Sequence, residues 1–163
     1  MRKYFYLLGL AALWSLMSSP LFGQSTADAI ELTRVLIQAE RQAIVAQTMQ
    51  LTETEGDAFW SIYRQYRGEL AQVGDRWPKL IKSYAENYEN LSDELAEHIL
   101  KEHFNIERAG LEIKAKYIPR FKEVLSPVKV ARFYQVENKL DAVVKYDIAE
   151  AVPLIGYVSQ DLK

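Results

Sequence analysis

The chain has 163 residues, 49% of them hydrophobic, and a formal net charge of -2. This length suits one domain with a hydrophobic core. The apolar content excludes a disordered chain. The small net charge argues against a protein that binds nucleic acid through its overall charge. The absence of cysteine excludes a disulfide scaffold, a thiol nucleophile, thiolate metal sites and lipid attachment at an N-terminal cysteine.

The first 23 residues have the order of a secretory signal peptide. Arg2 and Lys3 give a positive start, an apolar run follows at 4–17, and small and turn-forming residues come next at 18–23. The apolar run is shorter than the roughly 20 residues of a membrane span, so we expect cleavage after residue 23 and no stable span afterwards. An uncleaved anchor is the competing interpretation. An export signal of this kind predicts a periplasmic protein, or one in an equivalent envelope space.

Residues 24–156 are predicted to form a single all-α domain of about four helices. The chain has only 7 glycines and 5 prolines. So few helix-breaking residues favour long helices over the turn-rich pattern of a β-sandwich or barrel. The first helix is predicted over 26–50. Thr52 then opens the second helix with a capping box, in which its hydroxyl caps the first turn and Glu55 reaches back to the cap.

The second helix carries a stripe of apolar residues at steps of three and four, which is strong evidence for an amphipathic helix. The stripe consists of Phe59, Tyr63, Tyr66, Leu70, Val73, Trp77, Leu80 or Ile81, Tyr84 and Tyr88. Gly74 and Pro78 interrupt this stripe. We expect a kink or a short break there rather than the end of the element.

A turn at 90–93 leads into the third helix, which is predicted to run to Leu125. Phe104, Leu111, Ile118 and Leu125 are seven residues apart, and this spacing predicts a packing seam. Pro119 is predicted to kink the helix near its end, because proline cannot donate the helical hydrogen bond.

The fourth helix is predicted to begin with Ser126 as the N-cap and Pro127 in its first turn. Pro153 and Gly156 are predicted to end it, and residues 157–163 to form a loose C-terminal tail. The second and third helices are long enough to form an antiparallel hairpin with kinks. One short helix cannot cover such a hairpin, so we expect either a homodimer or a tight fold-back of the first and fourth helices.

Two short segments resemble the paired LTxxQ motifs of the periplasmic Spy and CpxP proteins. They are Leu51-Thr52-Glu53-Thr54-Glu55, before the second helix, and Leu125-Ser126-Pro127-Val128-Lys129, before the fourth. The order of signal peptide, helices and motifs is also similar. The chain departs from the family pattern in three places, since Glu55 and Lys129 stand where the motif has glutamine and Ser126 where it has threonine.

The resemblance implies a Spy/CpxP-like fold and a function of binding other proteins. Spy-like members are ATP-independent chaperones that hold unfolded proteins as curved helical dimers, CpxP-like members also dampen an envelope stress-sensing kinase, and a related branch binds zinc. The expected partners are therefore unfolded or envelope proteins, with a homodimer as the assembly.

The residues of the two motifs also have a sufficient structural explanation. Leu51 and Leu125 anchor turns in the core, whereas the hydroxyls of Thr52 and Ser126 cap helices. In an antiparallel hairpin the two motifs would lie side by side.

A basic surface on the third and fourth helices is the candidate client-binding surface. Residues 101–145 hold ten basic and six acidic side chains, whereas residues 51–97 hold ten acidic and five basic ones. The simplest interpretation is that the two arms attract each other. The functional hypothesis is that Lys116, Arg120 and Arg132 attract acidic clients, with Trp60 as an exposed aromatic contact beside the buried stripe.

The sequence shows no arrangement of nucleophile, base and phosphate-binding loop, so we expect no enzyme and assign no catalytic residue, metal ligand or cofactor. His98 and His103 are the only histidines. They are five residues apart, not at the spacing of four that lets two helical side chains share a metal. Two alternatives stay open, a zinc- or ligand-binding helical bundle and a structural partner of one envelope protein.

Overall fold

The structure, a computed structural model, describes residue 32 and residues 40–155. The predictions for the signal peptide (1–23), most of the first helix and the tail (157–163) lie outside the described residues. The described residues form helices and turns and no strand, which confirms the all-α prediction. No helix among them is both long enough and apolar enough to cross a membrane.

The helices follow the predicted order. They are α1 (described at 40–49), α2 (Glu53–Gly74), α3 (Arg76–Ala85), α4 (Asp93–Lys122) and α5 (Pro127–Ala151). A short 3-10 helix, Tyr88–Asn90, joins α3 to α4. The predicted second helix is therefore present as α2 and α3, which confirms the expected break.

The break between α2 and α3 has a local cause. Asp75 keeps a helical backbone, and its N–H donates to the carbonyl of Ala71 at 2.9 Å. Pro78 lies in the first turn of α3 and has no N–H, so the carbonyl of Gly74 loses the donor that a continuous helix would give it.

α2 and α4 form an antiparallel hairpin. Three side-chain pairs show the direction: Gln65 with Arg120, Glu69 with Lys116, and Arg76 with Glu102. The position of the partner on α4 falls as the position on α2 and α3 rises, so the helices run in opposite directions. This confirms the predicted helical hairpin.

α5 runs back along α4. The hydroxyl of Tyr134 donates to the carbonyl of Lys114 at 2.8 Å, and further along Lys145 pairs with Glu107 at 2.7 Å. The hydroxyl of Tyr84 on α3 donates to the carbonyl of Pro153 at 2.6 Å, just beyond the end of α5. As a result, α2 and α3 contact α4 on one side and α5 contacts it on another.

Aromatic rings fill the core where α2, α4 and α5 meet. The fully or almost fully buried rings are Phe59, Tyr63 and Tyr66 of α2, Tyr117 and Phe121 of α4, and Phe133 of α5. Phe121 and Phe133 approach to 4.6 Å between ring centroids, a distance typical of favourable aromatic pairs. Val45 and Met49 of α1 pack against this cluster with no exposed surface.

The predicted seam on the third helix is wrong for three of its four residues. Phe104, Leu111 and Ile118 are 56%, 68% and 40% exposed, and only Leu125 is buried. The buried residues of α4 are instead Ile106, Tyr117 and Phe121. A seven-residue spacing identifies an apolar face but not the neighbour that covers it. Burial of the larger aromatic surfaces of α4 turned a different face towards α2.

The end of the third helix also differs from the prediction. α4 ends at Lys122, and residues 123–125 form a turn in which the N–H of Leu125 donates to the carbonyl of Phe121 at 2.9 Å. Pro119 lies inside α4, which continues for three residues beyond it. The fourth helix begins at Pro127 and ends before Pro153 as predicted.

The aromatic core gives a direct test of the packing. We expect Phe121→Ala to lower the free energy of unfolding by about 3–5 kcal/mol, because it leaves a cavity among five other rings. Leu111→Ala is the matched control on the same helix and should change stability by no more than about 0.5 kcal/mol. Urea unfolding of both variants measures the difference. Equal losses would contradict the arrangement of α4.

Candidate functional site

Both motif segments are helix caps. The Thr52 hydroxyl accepts from the N–H of Glu55 at 3.3 Å, and the Glu55 carboxylate accepts from the N–H of Thr52 at 2.9 Å. This reciprocal pair is the predicted capping box. Ser126 caps α5 by accepting from the N–H of Lys129 at 3.4 Å. Leu125 is buried and Leu51 is half-buried against the core.

The two motifs meet in space. The Nζ atom of Lys129 lies 2.5 Å from Oε2 of Glu55, which confirms that the motifs are neighbours. The hydrogen bond from Lys129 and the backbone bond from Thr52 lower the pKa of the Glu55 carboxyl. Glu55 and Lys129 are the two residues that stand where the family motif has glutamine, and here they pair with each other.

Two of the proposed client-binding cations contact α2 instead of standing free. Lys116 pairs with Glu69 at 2.8 Å, and Arg120 donates to Gln65 at 2.8 Å while its guanidinium lies 4.8 Å from the ring centroid of Tyr117. The hydrogen bonds from Lys116 and Tyr117 lower the pKa of Glu69. These contacts support the simpler interpretation that the two arms attract each other.

The other two proposed residues lie on different helices. Arg132 is exposed on α5 and makes no ion pair with any described residue. Trp60 is only half-buried, and its ring packs on Phe59 and Tyr63 at 5.0 and 5.3 Å. The four proposed side chains are thus distributed over α2, α4 and α5.

An apolar surface that sequence reasoning assigned to the core is exposed along α4. We call it the α4 stripe, and it consists of Leu100, Phe104, Leu111 and Ile118. At 1.5 Å per residue it extends for about 27 Å. Phe104, Leu111 and Ile118 of the stripe belong to the predicted seam. Their exposure follows only from the packing of the other helices.

Basic residues border the α4 stripe. Lys101, Arg108 and Lys122 are exposed on α4, and none of them makes an ion pair within the described part of the chain. Between Lys101 and Lys122, Glu112 is the exposed acidic residue that likewise has no such pair. This segment of α4 therefore offers apolar contacts together with an excess of positive charge.

A second polar feature, a buried charge cluster, joins four helices. The guanidinium of Arg41 on α1 lies 3.2 Å from Glu137 and 2.8 Å from Asp141, both on α5. Arg67 on α2 pairs with Glu137 at 3.3 Å, and Lys114 on α4 pairs with Asp141 at 2.6 Å. Glu137 and Arg41 are buried. Burial by itself raises the pKa of Asp141, but the charges of Arg41 and Lys114 outweigh it and hold that pKa below its ordinary value.

The sequence contains one signal for this cluster. Glu137 follows Phe133 at a spacing of four on the apolar face of α5, and a carboxylate in such a position needs cationic partners. Those partners come from distant parts of the chain, so spacing alone could not name them.

The two histidines do not converge. The ring of His103 packs edge-on against Trp77 at 5.1 Å, whereas His98 lines a shallow cleft with Arg76 and Glu102. Among residues 40–155 no group of three or more histidine, aspartate or glutamate side chains is placed to hold a metal ion.

Comparisons of the chain with protein-family models, with curated proteins and with solved structures find no match. The resemblance to the Spy and CpxP proteins thus depends on the motif residues and the order of the elements.

The Glu55–Lys129 pair predicts a reciprocal effect of substitution. Glu55→Gln and Lys129→Gln should each lower stability, because each leaves the other charge without its partner. The double variant should lose less than the sum of the two, since it leaves no charge without its partner. Glutamine at position 55 can still complete the capping box. Thermal unfolding of the three variants measures this coupling, and strictly additive losses would show that the pair contributes nothing.

The lowered pKa of Asp141 predicts that the protein loses stability in acid. A carboxylate with a lowered folded pKa stabilises the protein above its unfolded pKa of about 3.9 and loses that contribution as the pH falls through the folded value. We therefore expect Asp141→Asn to be less stable than the parent at pH 7 and to lose less stability between pH 5 and pH 2. Asp57→Asn, at an exposed position, is the control and should follow the parent curve.

Proposed function

We propose that the mature chain is a periplasmic protein-binding protein that captures unfolded proteins without ATP, as a Spy/CpxP-like chaperone or envelope-stress modulator. The observation that carries this proposal is the α4 stripe. Four large apolar side chains lie exposed along one helix of a protein that otherwise buries a dense aromatic core. Apolar patches of this kind mark interaction surfaces.

The border of the α4 stripe indicates the chemistry of the client. Lys101, Arg108 and Lys122 have no internal partners among the described residues, so their charges are available to an acidic client. Electrostatic attraction accelerates encounter, and apolar contacts then hold the complex. The preferred clients are chain segments that combine acidic and apolar residues.

The charge pattern favours a client over a second copy on this surface. Lys101 and Lys122 lie ten and eleven residues on either side of Leu111. Antiparallel pairing of two α4 helices about Leu111 would bring these lysines together, and parallel pairing would place each against its own copy. Like charges in either arrangement oppose association. The homodimer that the resemblance implies is therefore proposed to form through another surface.

The extended form of the α4 stripe suits an unfolded client. A row of about 27 Å can contact several side chains of an extended segment. The resemblance in motifs and element order supports the same function. The charged pair at Glu55 and Lys129 lies at the capped helix starts and takes no part in the proposed surface.

The first experiment is suppression of aggregation of an unfolding model protein by the purified mature chain without ATP, with its mass measured by light scattering. We expect suppression at near-stoichiometric amounts. The double variant Phe104→Gln/Leu111→Gln should require about tenfold more protein, because two exposed apolar contacts worth together roughly 1.4 kcal/mol or more are lost. Tyr146→Gln, at an exposed aromatic residue of α5, is the matched control and should retain activity.

A second pair of variants separates charge from apolar contact. Lys101→Gln/Lys122→Gln should weaken suppression of an acidic client at low salt and have little effect at high salt, where exposed charges are screened. A well-folded chain that leaves aggregation untouched would exclude general chaperoning. The function would then be that of a dedicated partner of one envelope protein.

A further inference from the structure

A cleft of about 240 Å³ opens between α1 and α2, away from the α4 stripe. The described residues that line it are Gln42, Tyr63, Arg64, Arg67 and Ala71. Its volume lies below the roughly 300–1,000 Å³ of pockets for drug-sized ligands. The occupant that it suits is therefore a small ion or a single functional group.

Each polar side chain of the cleft can donate a hydrogen bond, and the two charged ones, Arg64 and Arg67, can only donate. Gln42, Tyr63, Arg64 and Arg67 can each donate, and no acidic residue belongs to the described lining. Tyr63 is only 4% exposed, yet its hydroxyl makes no hydrogen bond with another described residue. Burial, aided by the charge of Glu137, raises the pKa of Tyr63 to about 12, so the hydroxyl keeps its proton at neutral pH.

The charges around the cleft do not balance. One oxygen of Glu137 pairs with both Arg41 and Arg67, at 3.2 and 3.3 Å. Asp141 is likewise shared between Arg41 and Lys114. With Arg64, which makes no ion pair within the described residues, four cations thus stand against two carboxylates. Among the described residues, the Nε atom of buried Arg41 and Oε1 of Glu137 also lack hydrogen-bond partners.

We propose that this cleft binds a small oxyanion, a carboxylate or a phosphate group, through the guanidinium groups of Arg64 and Arg67, the hydroxyl of Tyr63 and the amide of Gln42. A guanidinium presents two parallel N–H groups that match the two oxygens of such an anion. The anion supplies the negative charge that the described lining lacks and accepts hydrogen bonds from its donors. Because Gln42 belongs to α1 and the other three residues to α2, the bound anion also fastens α1 to α2.

The test uses the mature chain and two probes, inorganic phosphate and acetate, each titrated at constant ionic strength against sodium chloride. A ligand that binds only the folded protein raises the melting temperature as its concentration rises. We expect one or both probes to raise it beyond the chloride control, and the probe that acts identifies the anion as phosphate or carboxylate. The side-chain Nε–H signals of Arg64 and Arg67 in NMR spectra should shift in the same titration.

Substitutions then assign the site. Arg64→Gln removes an exposed guanidinium without disturbing the core and should weaken binding about tenfold or more. Tyr63→Phe keeps the buried ring and should weaken binding to a smaller extent. Arg132→Gln removes an exposed arginine of α5 that has no ion pair with any described residue, and it should leave binding unchanged. The proposal is overturned if neither probe exceeds chloride, or if Arg132→Gln weakens binding as much as Arg64→Gln, since binding would then follow bulk charge.

Discussion

Glu137 has no exposed surface, and the helices around it have to supply the cations that a buried carboxylate requires. Removing one partner of such a group typically costs about 3–5 kcal/mol, because it leaves an uncompensated charge. Arg41 and Arg67 meet this requirement from α1 and α2. Because both arginines pair with Glu137, α1 and α2 contact α5 on the face that carries this carboxylate. Arg67, which shares one oxygen of Glu137 with Arg41, also lines the cleft between α1 and α2.

The position of α4 follows from these constraints and from the aromatic core. Tyr117 and Phe121 pack into the rings of α2 and α5, while Lys114 reaches Asp141 on α5. Two sides of α4 are occupied in this way, and the α4 stripe lies outside both contact surfaces. The apolar residues of the stripe are exposed because α4 uses its other faces for its contacts with α2 and α5. An exposed surface with this origin is available for binding at no loss to the fold.

Local features of the fold were predictable from the sequence, because their causes lie within a few residues. The caps at Thr52 and Ser126, the break at Gly74 and the start at Pro127 all depend on neighbours in the chain. The contacts of the third helix were not predictable, since a seven-residue period does not state which helix covers it. The arginine at 41 and the aspartate at 141 are separated by 100 positions, and no local pattern connects them. Charge counts likewise could not show that Lys116 pairs with Glu69 while Lys101 has no ion pair with another described residue.

The pairing of Glu55 with Lys129 has a consequence for how relatives of this chain would be recognised. A comparison with the LTxxQ motif one position at a time counts 55 and 129 as two of three separate mismatches, with Ser126 as the third. In the folded protein the two changes are one reciprocal contact between neighbouring helix starts. Selection acting on that contact would let the two positions vary together and resist variation of either alone. Covariation between them, more than identity at each, would then be the pattern to expect among chains that share this contact.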